Sequence, residues 1–268
     1  MLEKIGFNPE MAWWAAAADA TMGRVVRVDG GVARVLTEEG PVRASFGASL
    51  LSQMSANAST SPCAGDWCVV REWPDRRVTL ETVLPRRTSV VSAAVGRQSR
   101  DQVLCANIDY AAVVVARYPP PPITRVERLL ALARESGAQP LVLLTKSDAV
   151  TATDRVVDLG AVTSGFEVIC TSTVTGAGLS RLHELIDGHL TVALIGASGH
   201  GKSSLVNALV GAQVLARQEL RKHGRGRPTS VRRELVVLPS GGAVIDTQGI
   251  GGLGVINAWN AGRGAGQT

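Results

Sequence analysis

Gly196-Ala197-Ser198-Gly199-His200-Gly201-Lys202-Ser203 fits G-x-x-x-x-G-K-[ST], the pattern of a phosphate-binding loop. The apolar run Thr191 to Ile195 precedes it and reads as a buried strand. Ser204-Leu205-Val206-Asn207-Ala208-Leu209 follows and reads as the first turns of a helix. Strand, loop and helix are the context in which the pattern carries chemistry. Glycines let main-chain N–H groups close around phosphate oxygens, and a helix N-terminus favours negative charge. Lys202 is expected at the β- and γ-phosphates and the Ser203 hydroxyl at Mg²⁺; Ser204 lies against the same phosphates.

Working outward, alternation of strand and helix surrounds this loop. Tyr110 to Ala116 is a continuous apolar run, as expected of a strand covered on both faces. Pro119 to Pro122 break the chain, and Ile123, Val126, Leu129, Leu130 and Ala133 mark an amphipathic helix. Leu141–Leu144, Val168–Cys170, Leu235–Leu238 and Ala243–Ile245 supply further strands, and Leu179 to Ile186 a further helix. The pattern predicts an open α/β sheet with its ligand at the carboxyl ends of the strands.

Residues 21–87 follow another grammar. Gly23–Val28 and Val32–Leu36 are strand-like runs joined by the hairpin signal Asp29-Gly30-Gly31. Pro41–Phe46, Asp66–Val70 and Val78–Leu84 complete about five short strands. They predict a small all-β barrel, with an OB-fold the best candidate and an SH3-like barrel not separable from it on these residues. Residues 1–20 read as a short helix anchored by Trp13 and Trp14, Gln53 to Pro62 as an exposed loop, and 88–103 as a linker. The larger domain then spans 104–256, with a Gly/Ala/Asn-rich flexible tail over 257–268.

Composition narrows the setting. The chain has 268 residues, 45% of them hydrophobic, enough for two modest domains with real cores. Cys63, Cys68, Cys105 and Cys170 form no C-x-x-C pair, so neither a disulfide framework nor a zinc ribbon is indicated. No apolar run approaches a membrane span. Glu3 and Glu10 before the apolar stretch Met11 to Ala20 argue against a signal peptide, and a cytoplasmic location is expected. Between Arg217 and Arg233 lie seven arginines and lysines against Glu219 alone, a local +6 in a chain of formal net charge +5. One segment therefore carries the basic character, either as a polyanion contact or as a solvated loop.

Three further motifs sit after strands. Thr145-Lys146-Ser147-Asp148 resembles N-K-x-D, whose carboxylate accepts from guanine N1–H and N2–H₂ together, a pair that adenine lacks. Thr171-Ser172-Thr173, followed by Thr175-Gly176-Ala177-Gly178-Leu179, resembles the S-A-x motif that backs guanine O6. Asp246-Thr247-Gln248-Gly249 resembles D-x-x-G, whose Asp holds Mg²⁺ through water and whose Gly N–H meets the γ-phosphate. The base motifs precede the phosphate loop here, whereas they follow it in the usual GTPase chain. That order is a circular permutation, feasible because domain termini often lie close together.

With these motifs, and with Gly65-Asp66-Trp67, Leu84-Pro85-Arg86-Arg87, Gln102 to Asp109 and Arg128-Leu129-Leu130, the chain resembles the circularly permuted, ribosome small-subunit-dependent GTPases of the RsgA (YjeQ) type over about residues 20 to 255. The resemblance implies a small all-β barrel (OB-fold) followed by an α/β P-loop GTPase domain with circularly permuted motif order. It implies GTP and GDP binding, GTP hydrolysis with Mg²⁺, and a late role in maturing the small ribosomal subunit through contact with its rRNA. A monomer without membrane association is expected. The family continues past D-x-x-G into a zinc domain; no Cys follows Cys170 here, so no zinc site is expected in this chain. The family's switch Arg-His-Thr-Thr-Thr reads Arg227-Pro228-Thr229-Ser230-Val231, with Thr229 the expected Mg²⁺ ligand. No catalytic residue is assigned: Ile250 follows D-x-x-G, Pro228 replaces the switch histidine, and His223 could substitute only if its loop refolds. The rival readings are a nucleotide-gated RNA- or ribosome-binding module with little catalysis, and an ATP-using P-loop enzyme.

Overall fold

The computed structural model describes residues 1–16, 20–92, 102–149, 159–215 and 233–247. The chain enters through two short 3₁₀ turns, Leu2–Ile5 and Pro9–Met11, and helix α1 (Ala12–Ala16). One continuous helix was the sequence expectation; left-handed Gly6 ends the first turn and Pro9 starts the second. Trp14 packs on the core, whereas Trp13 is 60% exposed and meets the Trp14 ring at a tilt of 31° with centroids 4.3 Å apart.

Five strands then close a barrel: β1 (Thr21–Asp29), β2 (Val32–Thr37), β3 (Gly40–Phe46), β4 (Trp67–Glu72) and β5 (Val78–Val83), in the order β1-β2-β3-β5-β4. The β1–β2 turn is the two-glycine turn that the sequence signals, with φ of 54° at Gly30 and 88° at Gly31. Pairing of β3 with β5 is parallel and all other barrel pairings are antiparallel. This closure makes the barrel an OB-fold. Helix α2 (Ala48–Ala56) lies between β3 and β4 and sends fully buried Leu50 into the barrel interior beside Val25, Val35, Cys68 and Leu80. Gln53 to Ala56 are therefore helical, which corrects the loop reading; burial of Leu50 outweighs the Ser- and Ala-rich composition. Burial pushes the thiols of Cys63 and Cys68 well above their ordinary range, as befits small core residues.

The stretch 88–103, expected to be a linker, contains paired structure. Strand β6 (Ser89–Ser92) is antiparallel to β7 (Gln102–Ala106), with Val90, Leu104 and Cys105 buried. The pairing spans intervening residues, and burial against the neighbouring sheet stabilises it, which no local pattern announces.

The remaining elements are β8 (Tyr110–Ala116), α3 (Ile123–Glu135), β9 (Gln139–Thr145), α4 (Gly160–Thr163), β10 (Glu167–Cys170), α5 (Leu179–Ile186), β11 (Thr191–Ile195), α6 (Lys202–Val210), β12 (Arg233–Val237) and β13 (Ala243–Thr247). They form a six-stranded sheet in the order β10-β9-β8-β11-β13-β12, parallel except for edge strand β12. One face packs on α5 and α6 through Leu182, Leu205 and Val206; the other packs on α3 and joins barrel residues Met22, Trp67 and Leu84 in a single cluster. The barrel and the sheet thus share a core.

Arg24 reinforces that junction. Its buried guanidinium donates to the carbonyls of Ile5 and Asn107 and lies 5.0 Å from the Trp67 ring centre, and burial pushes its pKa down to about 10. No helix among the described residues is long and apolar enough to cross a membrane.

Candidate functional site

The site lies at the carboxyl ends of β8, β9, β10, β11 and β13, where the parallel sheet leaves strand ends and helix N-termini facing one crevice. Strand β11 ends at Ile195 and α6 begins at Lys202, so the phosphate loop joins them as its pattern requires. Gly196 cannot carry a side chain there: a Cβ would lie 2.6 Å from the Val114 carbonyl oxygen of adjacent β8. Ala197 is buried, Ser198 and Gly199 are exposed, and Ser204 is half-buried in the first turn of α6.

Lys202 is 5% exposed, and its ammonium donates to the carbonyls of Gly196 at 3.0 Å and Ala197 at 2.9 Å. Burial lowers its pKa, opposed by the nearby Asp246 carboxylate. A desolvated ammonium held by neutral carbonyls is poised for an anion. His200 is fixed from two sides: its Nδ1 lies 2.9 Å from the Val114 carbonyl, and its own carbonyl accepts from the Thr145 hydroxyl at 2.7 Å. Burial lowers the His200 pKa, which favours the neutral ring.

The Thr145 bond brings the first base motif to the phosphate loop. Lys146 adopts a left-handed φ of 57°, and Ser147–Ala149 forms a 3₁₀ turn carrying exposed Asp148. The Ser147 N–H donates to the Thr171 carbonyl at 3.1 Å, and the Ser172 hydroxyl donates to Asp148 Oδ1. Two motifs separated by more than twenty residues in the chain therefore meet at one carboxylate. Ser172 Oγ also accepts from the N–H groups of Val174 and Thr175 at 3.1 Å each, which shapes the following turn. Thr171 is buried with its hydroxyl lacking a partner, whereas Thr173 is exposed and joins none of these contacts.

Asp246, at the end of β13, is 2% exposed. Its Oδ2 accepts from the Ser203 hydroxyl at 2.6 Å, and its Oδ1 is buried without a hydrogen-bond partner. Burial raises the Asp246 pKa, while the Ser203 bond and Lys202 oppose the rise. An orphaned carboxylate oxygen beside a serine hydroxyl suits a hard, oxygen-seeking cation. Thr229, His223, Pro228, Gly249, Ile250 and all but Arg233 of the basic segment lie outside the described residues.

Two contributors stand at positions that no motif specifies, Asn207 in α6 and Thr247 at a variable place of D-x-x-G. Buried Asn207 in α6 accepts from the N–H groups of Val214 and Leu215 and donates to the Leu215 carbonyl, so it holds the chain that leads into the basic segment. Thr247 donates to the Leu194 carbonyl at 2.6 Å and locks β13 to the phosphate-loop strand. A polar residue on the buried side of a predicted helix was the available signal for Asn207.

Known proteins resemble this chain in sequence and in fold. A sequence profile described as RsgA GTPase matches residues 83–256. A protein named small ribosomal subunit biogenesis GTPase RsgA from Streptomyces coelicolor is 40% identical over 91% of this chain and 67% of its own length. One of the same name from Streptomyces avermitilis is also 40% identical, over 92% of this chain and 65% of its own length. This chain thus spans about two thirds of these relatives. Among solved structures, YjeQ from Thermotoga maritima superposes with a TM-score of 0.61 at 23% identity, covering 85% of this chain and 74% of that one. YloQ, described as a circularly permuted GTPase, superposes with a TM-score of 0.57 at 21% identity, covering 88% and 73%. Those two likenesses speak to the fold. The profile and the identity to the Streptomyces proteins speak to descent, and by them the chain belongs to the RsgA GTPase family.

Proposed function

We propose that this chain binds GTP and GDP in the crevice bounded by the phosphate loop, Thr145–Asp148 and Thr171–Ser172, hydrolyses GTP, and acts in late maturation of the small ribosomal subunit. The observation that carries the nucleotide reading is the meeting of Asp148 with Ser172 beside a loop already bonded to Thr145. Asp148 would accept from guanine N1–H and N2–H₂, with Ser172 orienting the carboxylate and Lys146 and Ser147 framing the base. Main-chain N–H groups of residues 196–203 and Lys202 would hold the phosphates. Mg²⁺, held by Ser203 directly and by Asp246 through water, would neutralise charge on the β- and γ-phosphate oxygens; Thr229 is the expected further ligand. Gly249 N–H would meet the γ-phosphate.

Base recognition has a direct test. Asp148→Ala should weaken GTP binding by about 2–3 kcal/mol, the cost of a bidentate charge-assisted pair, and leave the weaker ATP binding unchanged. Calorimetric titration with both nucleotides measures this. Equal affinity of the unmutated chain for GTP and ATP would refute the guanine reading.

Partner and turnover are linked. The family name of the Streptomyces relatives and the +6 segment over residues 217–233 support contact with the small subunit and its rRNA phosphates. Ile250 has no group to orient water, and Pro228 stands where the family's switch carries histidine. Unaided hydrolysis should then be slow, on the order of 10⁻³ s⁻¹ or less. Single-turnover assays with and without small subunits check this, alongside His223→Ala. Stimulation that fades steeply with salt is the expected result. Turnover that stays negligible with subunits present would instead favour a nucleotide-gated binding module.

A further inference from the structure

The register of the sheet's edge places a second acidic residue directly across the strand pair from the cation site. β12 pairs antiparallel with β13, and Glu234 stands directly opposite Asp246. Directly opposed residues of an antiparallel pair share a face, and like charges so placed repel. The packing agrees on the face: Val236 and Val244, each two residues away, belong to the core beneath α5 and α6, whereas Leu235 and Ile245 belong to the opposite core. Glu234 therefore shares the face on which Ser203 meets Asp246.

Glu234 is also tied to the barrel. Its Oε2 accepts from Arg27 Nη1 at 3.5 Å, with the two side chains 26% and 17% exposed. Arg27 lies in β1, which runs beside β12, and its Nε is held by Asp29 at 2.5 Å. The guanidinium thus reaches from the barrel to a carboxylate one strand away from Asp246.

We infer that Glu234 and Arg27 together tune the cation site: the Glu234 charge strengthens the hold of Asp246 and Ser203 on a divalent cation, and Arg27 offsets it from the barrel. The inference rests on the reading of Ser203 and Asp246 as the Mg²⁺ site. Glu234 is a positioning residue in this scheme, acting through the field and not by ligation. The sign of the effect separates it from a structural role. Either single substitution breaks the same ion pair, so a structural contribution would move both variants the same way. Field effects move them oppositely.

The experiment measures release of a fluorescent GDP analogue from the purified full chain as Mg²⁺ is titrated, for the unmutated protein, Glu234→Gln, Arg27→Gln and Arg27→Lys. Thermal unfolding without nucleotide confirms that each variant is folded. Glu234→Gln should raise the Mg²⁺ concentration at half-effect about three- to tenfold, and Arg27→Gln should lower it about threefold, as expected for charges at partly screened separations. Arg27→Lys keeps the charge and should stay close to the unmutated value. Shifts in the same direction for Glu234→Gln and Arg27→Gln, or no shift in either, would overturn the inference while leaving the Mg²⁺ site standing. Nucleotide release indifferent to Mg²⁺ in the unmutated protein would overturn the cation site and the inference with it.

Discussion

Replacing Arg86 with alanine should lower the unfolding free energy by about 3–5 kcal/mol, the usual cost of stranding one partner of a buried ion pair. Asp66 is fully buried. Arg86 meets it with two parallel bonds, Nε to Oδ1 at 2.7 Å and Nη2 to Oδ2 at 2.8 Å. The same guanidinium donates to the carbonyls of Ser59 and Ser61, so it also fastens the connection between α2 and β4 to the barrel's exit. Without it Asp66 keeps the Cys63 N–H at 2.8 Å, too little for a buried carboxylate. Small domains are stable by only about 5–15 kcal/mol, so the variant should lose a large share of its stability. Urea unfolding measures the loss. Adding Asp66→Asn to Arg86→Ala should recover part of it, because the stranded charge is then gone. A loss under about 1 kcal/mol would show that water reaches Asp66 and that the pair is not truly buried.

Lys202→Met should reduce GTP affinity about 100-fold or more, since the ammonium is expected to make charge-assisted bonds to two phosphates worth about 1.5–3 kcal/mol each. The structure sharpens the contrast with stability. In the nucleotide-free chain the ammonium is buried against two carbonyls, and burial already disfavours its charge. Methionine keeps the apolar stem and removes that burden, so the nucleotide-free fold should hold within about 1 kcal/mol. GTP should lose more than GDP, because the γ-phosphate contact disappears only for the triphosphate. Calorimetry on both nucleotides, with thermal unfolding of the free protein, checks all three statements. A loss below tenfold with the fold intact would mean that the loop's N–H groups bind the phosphates without Lys202.

Much of this protein is legible in its residues because the signals are local. The run Thr191–Ile195 is a strand because four apolar residues and a buried threonine, covered on both faces, leave no polar side to expose, and it ends where Gly196 permits contact with Val114. Helix α3 follows from a 3.6-residue apolar period, and the β1–β2 hairpin from two adjacent glycines. Phosphate-loop chemistry is likewise written in eight consecutive residues.

What only the tertiary structure decided is non-local. The choice of OB-fold rests on the parallel pairing of β3 with β5, made between residues more than thirty apart in the chain. Helix α2 and the β6–β7 pair form because Leu50 and Val90 find apolar partners that their own neighbours do not supply. The bond between Ser172 and Asp148 and the opposition of Glu234 to Asp246 depend on which strands lie side by side and in what register. A one-residue slip of β12 would turn Glu234 to the other face with no change in its sequence. Local propensity sets where strands and helices begin and end, whereas the burial that accompanies packing selects which of them meet, and charges meet wherever that packing sets them.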